Sequence, residues 1–194
     1  WPSGTGEPTR SMSVEISTAT AEDVAELAAV AAATFPLACP PSSTRADIAA
    51  FIATNLSAEC FTGYLADPDR AVLVAREDRL QGPVLGYAML IRGATTDPDV
   101  ARAVTVQPAV ELSKIYVLPD HHGAGVAAAL MDDAVHRAAK GCARCVWLGV
   151  NQNNQRAQRF YGKHGFTIAG TKTFKVGAAL ESDFVMVRPL GGGD

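Results

Sequence analysis

Two stretches of this chain combine residue types and spacings that can do chemistry. The first is Glu111-Leu-Ser-Lys-Ile-Tyr-Val-Leu-Pro-Asp-His-His-Gly-Ala-Gly-Val-Ala, which closes on His122-Gly123-Ala124-Gly125-Val126-Ala127. A glycine turn entering a helix leaves backbone N–H groups unpaired at the positive end of the helix dipole, which suits a phosphate or pyrophosphate. Gly123 and Gly125 let the backbone come close to such a ligand. The turn is not a dinucleotide fingerprint, because GxGxxG is incomplete, and it lacks the Lys-Ser/Thr of a nucleotide P-loop. At the other end of the stretch, Glu111 and Ser113 stand at i and i+2, so on a regular strand they share a face. Glu111 reads as a base or as a solvated strand-end carboxylate.

The second stretch runs from Trp147 through Asn154-Gln-Arg-Ala157-Gln-Arg-Phe160-Tyr161 to Gly165-Phe166. Asn154 and Tyr161 are seven residues apart, two helical turns, and so face one side of a helix. Taken alone, Asn154 is equally a helix cap and Tyr161 equally a core aromatic. His121, His136 and His164 read as surface residues.

Composition narrows the setting of these residues. The chain has 194 residues, 48% of them hydrophobic, which fits one ordinary domain with a core. Its 20 acids and 17 bases leave a net charge of -3, with Lys and Arg scattered, so nucleic acid is excluded as a main partner. Apolar runs break well before ~18 residues, and no membrane span or basic-then-apolar leader is expected. Cys142 and Cys145 form one CxxC pair with no second pair or spaced His pair, so no metal site is expected. The pair reads instead as small apolar residues at a strand start, in a reducing, cytoplasmic setting.

The elements that must hold the two stretches follow from pattern. Val14 and Ile16 suggest a strand; Thr20 can cap a helix to about Ala33, which Phe35-Pro36 ends. Ser43 or Thr44 caps a second helix to about Asn55, and further helical turns cover Ser57 to Leu65. Ala71–Arg76 and Val84–Arg92 read as a hairpin, and Gly93 to Pro108 as a loop. Then come strand Val110–Val117, the glycine turn and helix Val126–Lys140, strand Cys145–Val150, and helix Asn154–His164 closed by Gly165. Thr167–Val176 and Asp183–Arg188 complete the set. Such an order implies a mixed α/β (α+β) domain over residues 12–190, with a largely antiparallel sheet and helices on both faces. Residues 1–11 read as a disordered lead and 191–194 as a flexible tail.

The paired motifs, in this order, resemble the GNAT superfamily of acetyl-CoA-dependent N-acetyltransferases, and the likeness extends over about Val14 to Leu190. Within it, Glu111-Leu-Ser-Lys-Ile-Tyr-Val, Trp147-Leu-Gly-Val, Lys172-Thr-Phe-Lys-Val-Gly and Ser182-Asp-Phe-Val-Met are similar to the PaiA-type polyamine (spermidine/spermine) acetyltransferases. The resemblance implies a sheet of six to seven strands and acetyl-CoA as cosubstrate. It implies that Ile115, Tyr116 and Val117 line the pantetheine arm, and that His122, Gly123, Ala124, Gly125, Val126 and Ala127 wrap the pyrophosphate. It places Asn154 near the CoA arm and Tyr161 near the thioester sulfur.

From these roles follows an expected reaction: direct acetyl transfer to a small primary amine, without a covalent enzyme intermediate. Glu111 would act as base through a water that Ser113 positions, backbone N–H groups near Val117 would polarise the thioester carbonyl, and Tyr161 would protonate the leaving thiolate. Two departures from the family pattern stand out. His122 replaces the usual Gln or Arg, giving the turn a titrating donor, and Ser113 stands where the polyamine enzymes often carry a carboxylate. Glu111, Glu181 and Asp183 are expected to line an acceptor channel. The alternatives are an enzyme for peptide or amino-sugar amines, and a non-catalytic acyl-CoA-binding module, which would have no use for Tyr161. Neither the acceptor nor the oligomeric state, a homodimer among the options, is decided by the sequence.

Overall fold

The computed structural model describes residues 13–77, 82–123 and 125–191. The lead at 1–11, residues 192–194 of the tail, and Ala124 lie outside them. Seven strands form one sheet in the order β1-β2-β3-β4-β5-β7-β6. They are β1 (Val14–Thr18), β2 (Arg70–Glu77), β3 (Val84–Arg92), β4 (Ala109–Val117), β5 (Cys145–Asn151), β6 (Thr167–Val176) and β7 (Ala179–Pro189). Every neighbouring pair is antiparallel except β4 and β5. Parallel neighbours need a crossover, which is supplied here by α5 (Val126–Lys140).

Helices cover both faces, as expected. On one side α5 and α6 (Gln155–Lys163) pack on Leu73, Ala88, Leu112, Val146 and Leu148. On the other side α1 (Val24–Ala38), α2 (Arg45–Asn55) and α3 (Ala58–Ala66) enclose Val72, Val74, Tyr87 and Met89. The alternation along β5 shows why both layers form: Val146, Leu148 and Val150 point to α5, while Cys145 and Trp147 point to a third cluster with Val100 and Val104. No helix among the described residues is long and apolar enough to cross a membrane.

Local chemistry sets most helix starts. The side chains of Thr44 and Ser57 accept from the N–H groups of Asp47 and Cys60 at the heads of α2 and α3. Thr20 instead heads a 3-10 turn, Ala21–Asp23, and α1 begins after it. That helix does not stop at Phe35-Pro36; it continues to Ala38 with Pro36 inside its last turn. Proline there removes one hydrogen bond, but Phe35 is buried and stacks on Phe51 at 4.5 Å, and this packing holds the turn.

Three further expectations need correcting. The Gly93 to Pro108 loop contains a short helix, α4 (Pro98–Ala103), whose signal is Asp97 as cap and Pro98 at the first helical position. Strand β7 starts at Ala179, not Asp183, because Gly177 and Ala178 form a two-residue turn that pairs Val176 with Ala179. Of the CxxC pair, Cys145 is buried at the strand start, but Cys142 is exposed in a left-handed turn with φ 64°.

One buried ion pair fastens the helical layer to the sheet. Arg76, on β2, bonds Asp23 and Glu26 at the head of α1, and the Glu26 carboxylate also accepts from Val84 N–H at 2.9 Å. Removing the cation leaves Asp23 buried and uncompensated. Arg76→Met is therefore expected to lower stability by about 3–5 kcal/mol. Urea unfolding measures it; an unchanged midpoint would show that the pair contributes nothing.

Candidate active site

The site begins where a strand pairing ends. Strands β4 and β5 pair only over Ala109–Glu111 against Cys145–Trp147. Beyond that, β4 continues against β3 and β5 against β7, so a cleft opens between them. The register of β4 against β3 sets Met89 opposite Lys114 and Leu90 opposite Leu112, which makes Ser113 an extra, bulged residue. Val110 and Leu112 before it, and Ile115 and Val117 after it, all face the α5 layer. Side-chain parity therefore switches at Ser113, and the simple i, i+2 relation of Glu111 to Ser113 does not hold.

Backbone groups also turn into the cleft. Leu118 N–H bonds the Leu85 carbonyl at 2.8 Å, so by antiparallel alternation the N–H and C=O of Val117 point away from β3. The Val117 carbonyl accepts from His122 Nε2 at 2.8 Å. With that nitrogen carrying the proton, His122 Nδ1 accepts from the Arg156 guanidinium at 3.1 Å. The permanent charge at the glycine turn thus comes from Arg156, which no motif in the sequence singled out, and His122 bridges it to the Val117 carbonyl. The only local signal was its place two residues after Asn154.

A groove of about 720 Å³ follows β4 to the start of α5, lined by Ile115, Tyr116, Val117, His122, Gly123, Gly125, Ala127, Asn154, Arg156 and Tyr161. Gly123 and Gly125 both have φ 81°, a conformation that side chains rarely adopt. Helix α5 has no side-chain cap and no acid in its first turn, so its leading N–H groups are left for an anion. This donor set fits the pyrophosphate of a CoA. Val126 differs from its neighbours: its side chain is buried in the core, and only its backbone serves the turn. Ala124 lies outside the described residues.

A second cavity, about 300 Å³, lies on the other side of the cleft. It contains Glu111 and Ser113 together with Lys114, Asn151, Lys172 and Asp183. Glu181, expected beside them, instead accepts from Ser42 Oγ at 2.6 Å and does not line this cavity. The two cavities meet at Ala38, Ile115, Tyr116, Asn154, Ala157 and Tyr161. Asn154 is a cap after all, its side chain accepting from Ala157 N–H at 3.1 Å, and it faces both cavities as well.

Burial governs the titrating groups. It pushes the Tyr161 phenol well above its ordinary range, with the Tyr116 phenol adding to the effect, so Tyr161 holds its proton at neutral pH. Tyr116 is pushed up to about 12, by burial first and then by Cys39 and Asp183. Burial raises Glu111 too, while Lys172, Lys114 and Arg70 pull it back. It lowers Lys114, an effect that Glu111 opposes and Arg70 reinforces. Asp183 is 6% exposed and its Oδ1 has no hydrogen-bond partner among the described residues. Its carboxyl is pushed up to about 6, first by burial, with Lys172 opposing and Glu181 adding.

The site thus has two cavities, a groove whose donors suit a phosphate and a smaller pocket of mixed charge, joined at a protonated tyrosine. Residues 34–166 match the Acetyltransferase (GNAT) family, and the chain belongs to it. As a member it is an N-acetyltransferase that uses acetyl-CoA. An uncharacterized N-acetyltransferase of Mycobacterium tuberculosis (strain ATCC 25618 / H37Rv) is 56% identical over 168 residues, which span 87% of this chain and 98% of the relative. One from Mycobacterium bovis is equally similar. The fold is that of the PaiA N-acetyltransferase from Thermoplasma acidophilum, solved with coenzyme A: TM-score 0.73, 21% identity, covering 92% of this chain and 100% of that one. The ribosomal-protein-S18-alanine N-acetyltransferase of Escherichia coli shares the fold at TM-score 0.65, with 17% identity and 94% and 97% covered.

Two expectations follow from this geometry. Arg156→Gln should weaken CoA binding by about 10- to 100-fold, the usual worth of a charge-assisted hydrogen bond, and should shrink the rise in Tm that CoA produces. Equal Tm shifts for variant and wild type would remove Arg156 from the site. The second concerns Asp183, whose folded pKa lies above its unfolded value, so the folded state binds the extra proton more tightly. Its ionisation costs no stability below about pH 4 and the full amount above about pH 6. The Tm of Asp183→Asn relative to wild type should therefore rise through this window, on the order of 5–10 °C, and then level off. A pH-independent difference would contradict the burial argument.

Proposed function

We propose that residues 12–190 act as a single cytoplasmic acetyltransferase domain that acetylates the primary amine of a small acceptor by direct transfer. The carrying observation is the junction: the groove fitted to CoA and the carboxylate-bearing pocket share one opening, and Tyr161 stands in it. Acetyl-CoA supplies an activated acetyl thioester. Strand β4 orients its arm along Ile115, Tyr116 and Val117, and the N–H of Val117, aimed into the cleft, is placed to polarise a carbonyl there. Asn154 lies on the same side of α6 as Tyr161 and contributes its amide to the arm.

Within the pocket, Glu111 takes the amine proton through a water that the bulged Ser113 positions, and burial makes Glu111 a stronger base than an exposed carboxylate. Tyr161, protonated, delivers a proton to the leaving thiolate. A polyamine acceptor is supported by the PaiA-like wording and by Glu111 and Asp183 in the pocket. Lys114 and Lys172 line the same pocket and favour a second reading, an acceptor that carries an anionic group as well.

Tyr161→Phe should lower kcat by about 10²-fold in a CoA-release assay while leaving the CoA-induced Tm shift in place. Glu111→Gln should cost a similar factor and remove the lower limb of the kcat/KM pH profile. Unchanged kcat in Tyr161→Phe under chemistry-limited conditions would return Tyr161 to a core aromatic.

A further inference from the structure

We propose that the acceptor is a small primary amine that also bears a carboxylate, with its amine held by Glu111 and Asp183 and its carboxylate by Lys114 and Lys172. This rests on the acetyl-transfer reading above and names the acceptor class. All four side chains line the one cavity of about 300 Å³, at the small end of ligand sites. Three strands supply them: Glu111 and Lys114 come from β4 on one side of the cleft, Lys172 and Asp183 from facing positions of the β6–β7 hairpin on the other. A Cβ built on Gly149 would lie 2.6 Å from Lys172 Cε, 3.3 Å from its Nζ and 3.4 Å from Asp183 Oδ2, so both head groups crowd over one bare stretch of β5. Lys114 Nζ lies 3.4 Å from Ser113 Oγ on the opposite wall.

Asp183 Oδ1 supplies an independent pointer to a ligand. It is buried, without a hydrogen-bond partner among the described residues, on a side chain that lines the cavity. Such an acceptor atom is costly unless a donor reaches it, and an ammonium group is a strong one. The lysines decide what else the acceptor carries. A polyamine would bring several positive charges beside two ammonium groups in a partly desolvated pocket, a repulsive arrangement. Each wall carries one carboxylate and one lysine, Glu111 with Lys114 on β4 and Asp183 with Lys172 on the β6–β7 hairpin, so an acceptor with one ammonium and one carboxylate finds an opposite charge for each.

The chemistry balances with the groups already named. The ammonium gives one proton through water to Glu111 and on to solvent, and its nitrogen bonds the acetyl carbon. The C–S bond breaks, the thiolate takes a proton from Tyr161, and the second amine proton restores the phenol.

The test uses matched pairs: the common amino acids and 4-aminobutyrate, each against its carboxamide, with spermidine alongside. Turnover is read by CoA release, and binding to the CoA-loaded protein by calorimetry. The best acid should be preferred over its amide by about 10- to 100-fold. Lys114→Met and Lys172→Met should each erode that preference, and the Lys→Arg variants should restore most of it, while the CoA-induced Tm rise reports an intact fold. Acid and amide treated alike, spermidine preferred to every acid, or no acid bound would each overturn the proposal. Acids that bind in preference to their amides but release no CoA would uphold the charge assignment and overturn the transfer reading instead.

Discussion

The parallel pairing between β4 and β5 stops after three residues, and the rest of the site follows from that constraint. In a continuous sheet the N–H and C=O of Val117 would be spent on a neighbouring strand. Here the neighbour veers away, and one edge of β4 faces a cleft. Backbone polar groups in such a place demand partners, and the Val117 carbonyl has recruited His122. The same parallel step requires a crossover helix, and the crossover delivers the N-terminus of α5 to the carboxyl end of β4. The glycine turn and the open strand edge are thus adjacent through chain geometry, as ligand sites in open α/β sheets generally are.

Electrostatics divides the cleft into two unlike halves. The groove has the helix dipole, bare N–H groups and Arg156, all of which favour an anion. The acceptor pocket mixes carboxylates with lysines. Between them Tyr116 and Tyr161 are kept as neutral phenols by burial, and Tyr116 adds to the cost of ionising Tyr161. A neutral donor at that point separates the groove that favours an anion from the pocket of mixed charge. It also suits the proposed protonation of a thiolate, which appears only as the C–S bond breaks.

Legibility in the sequence tracked how local the determining physics was. Helix α5 is bounded by Gly125 and Gly141, and α2 and α3 by Thr44 and Ser57, so capping chemistry within a few residues marked their ends. The groove was legible for the same reason, since the glycine turn and the Asn154 to Tyr161 spacing are short-range patterns. Pro36 reads locally as a stop, and only the stacking of Phe35 on Phe51 shows why α1 passes it. The bulge at Ser113 is a matter of register with β3, which no pattern within β4 announces. Lys172 and Asp183 reach Glu111 and Lys114 because β7 inserts between β5 and β6, an order that cannot be read from strands met one at a time.

The serine at 113 then acquires a meaning beyond a missing carboxylate. The residue is neutral and sits on a bulge between Leu112 and Lys114. The two carboxylates that line the pocket, Glu111 and Asp183, are matched by two amines, Lys114 and Lys172. A third carboxylate at 113 would leave an excess of negative charge and reward an acceptor with surplus positive charge. With serine the pocket is balanced, so a polycation gains little on entering while Lys114 and Lys172 still repel it. A balanced pair of opposite charges rewards an acceptor of the same description. On the proposed acceptor reading, the serine at 113 and the lysines on β4 and β6 therefore act in one direction, although they are distant in sequence and meet only across the cleft.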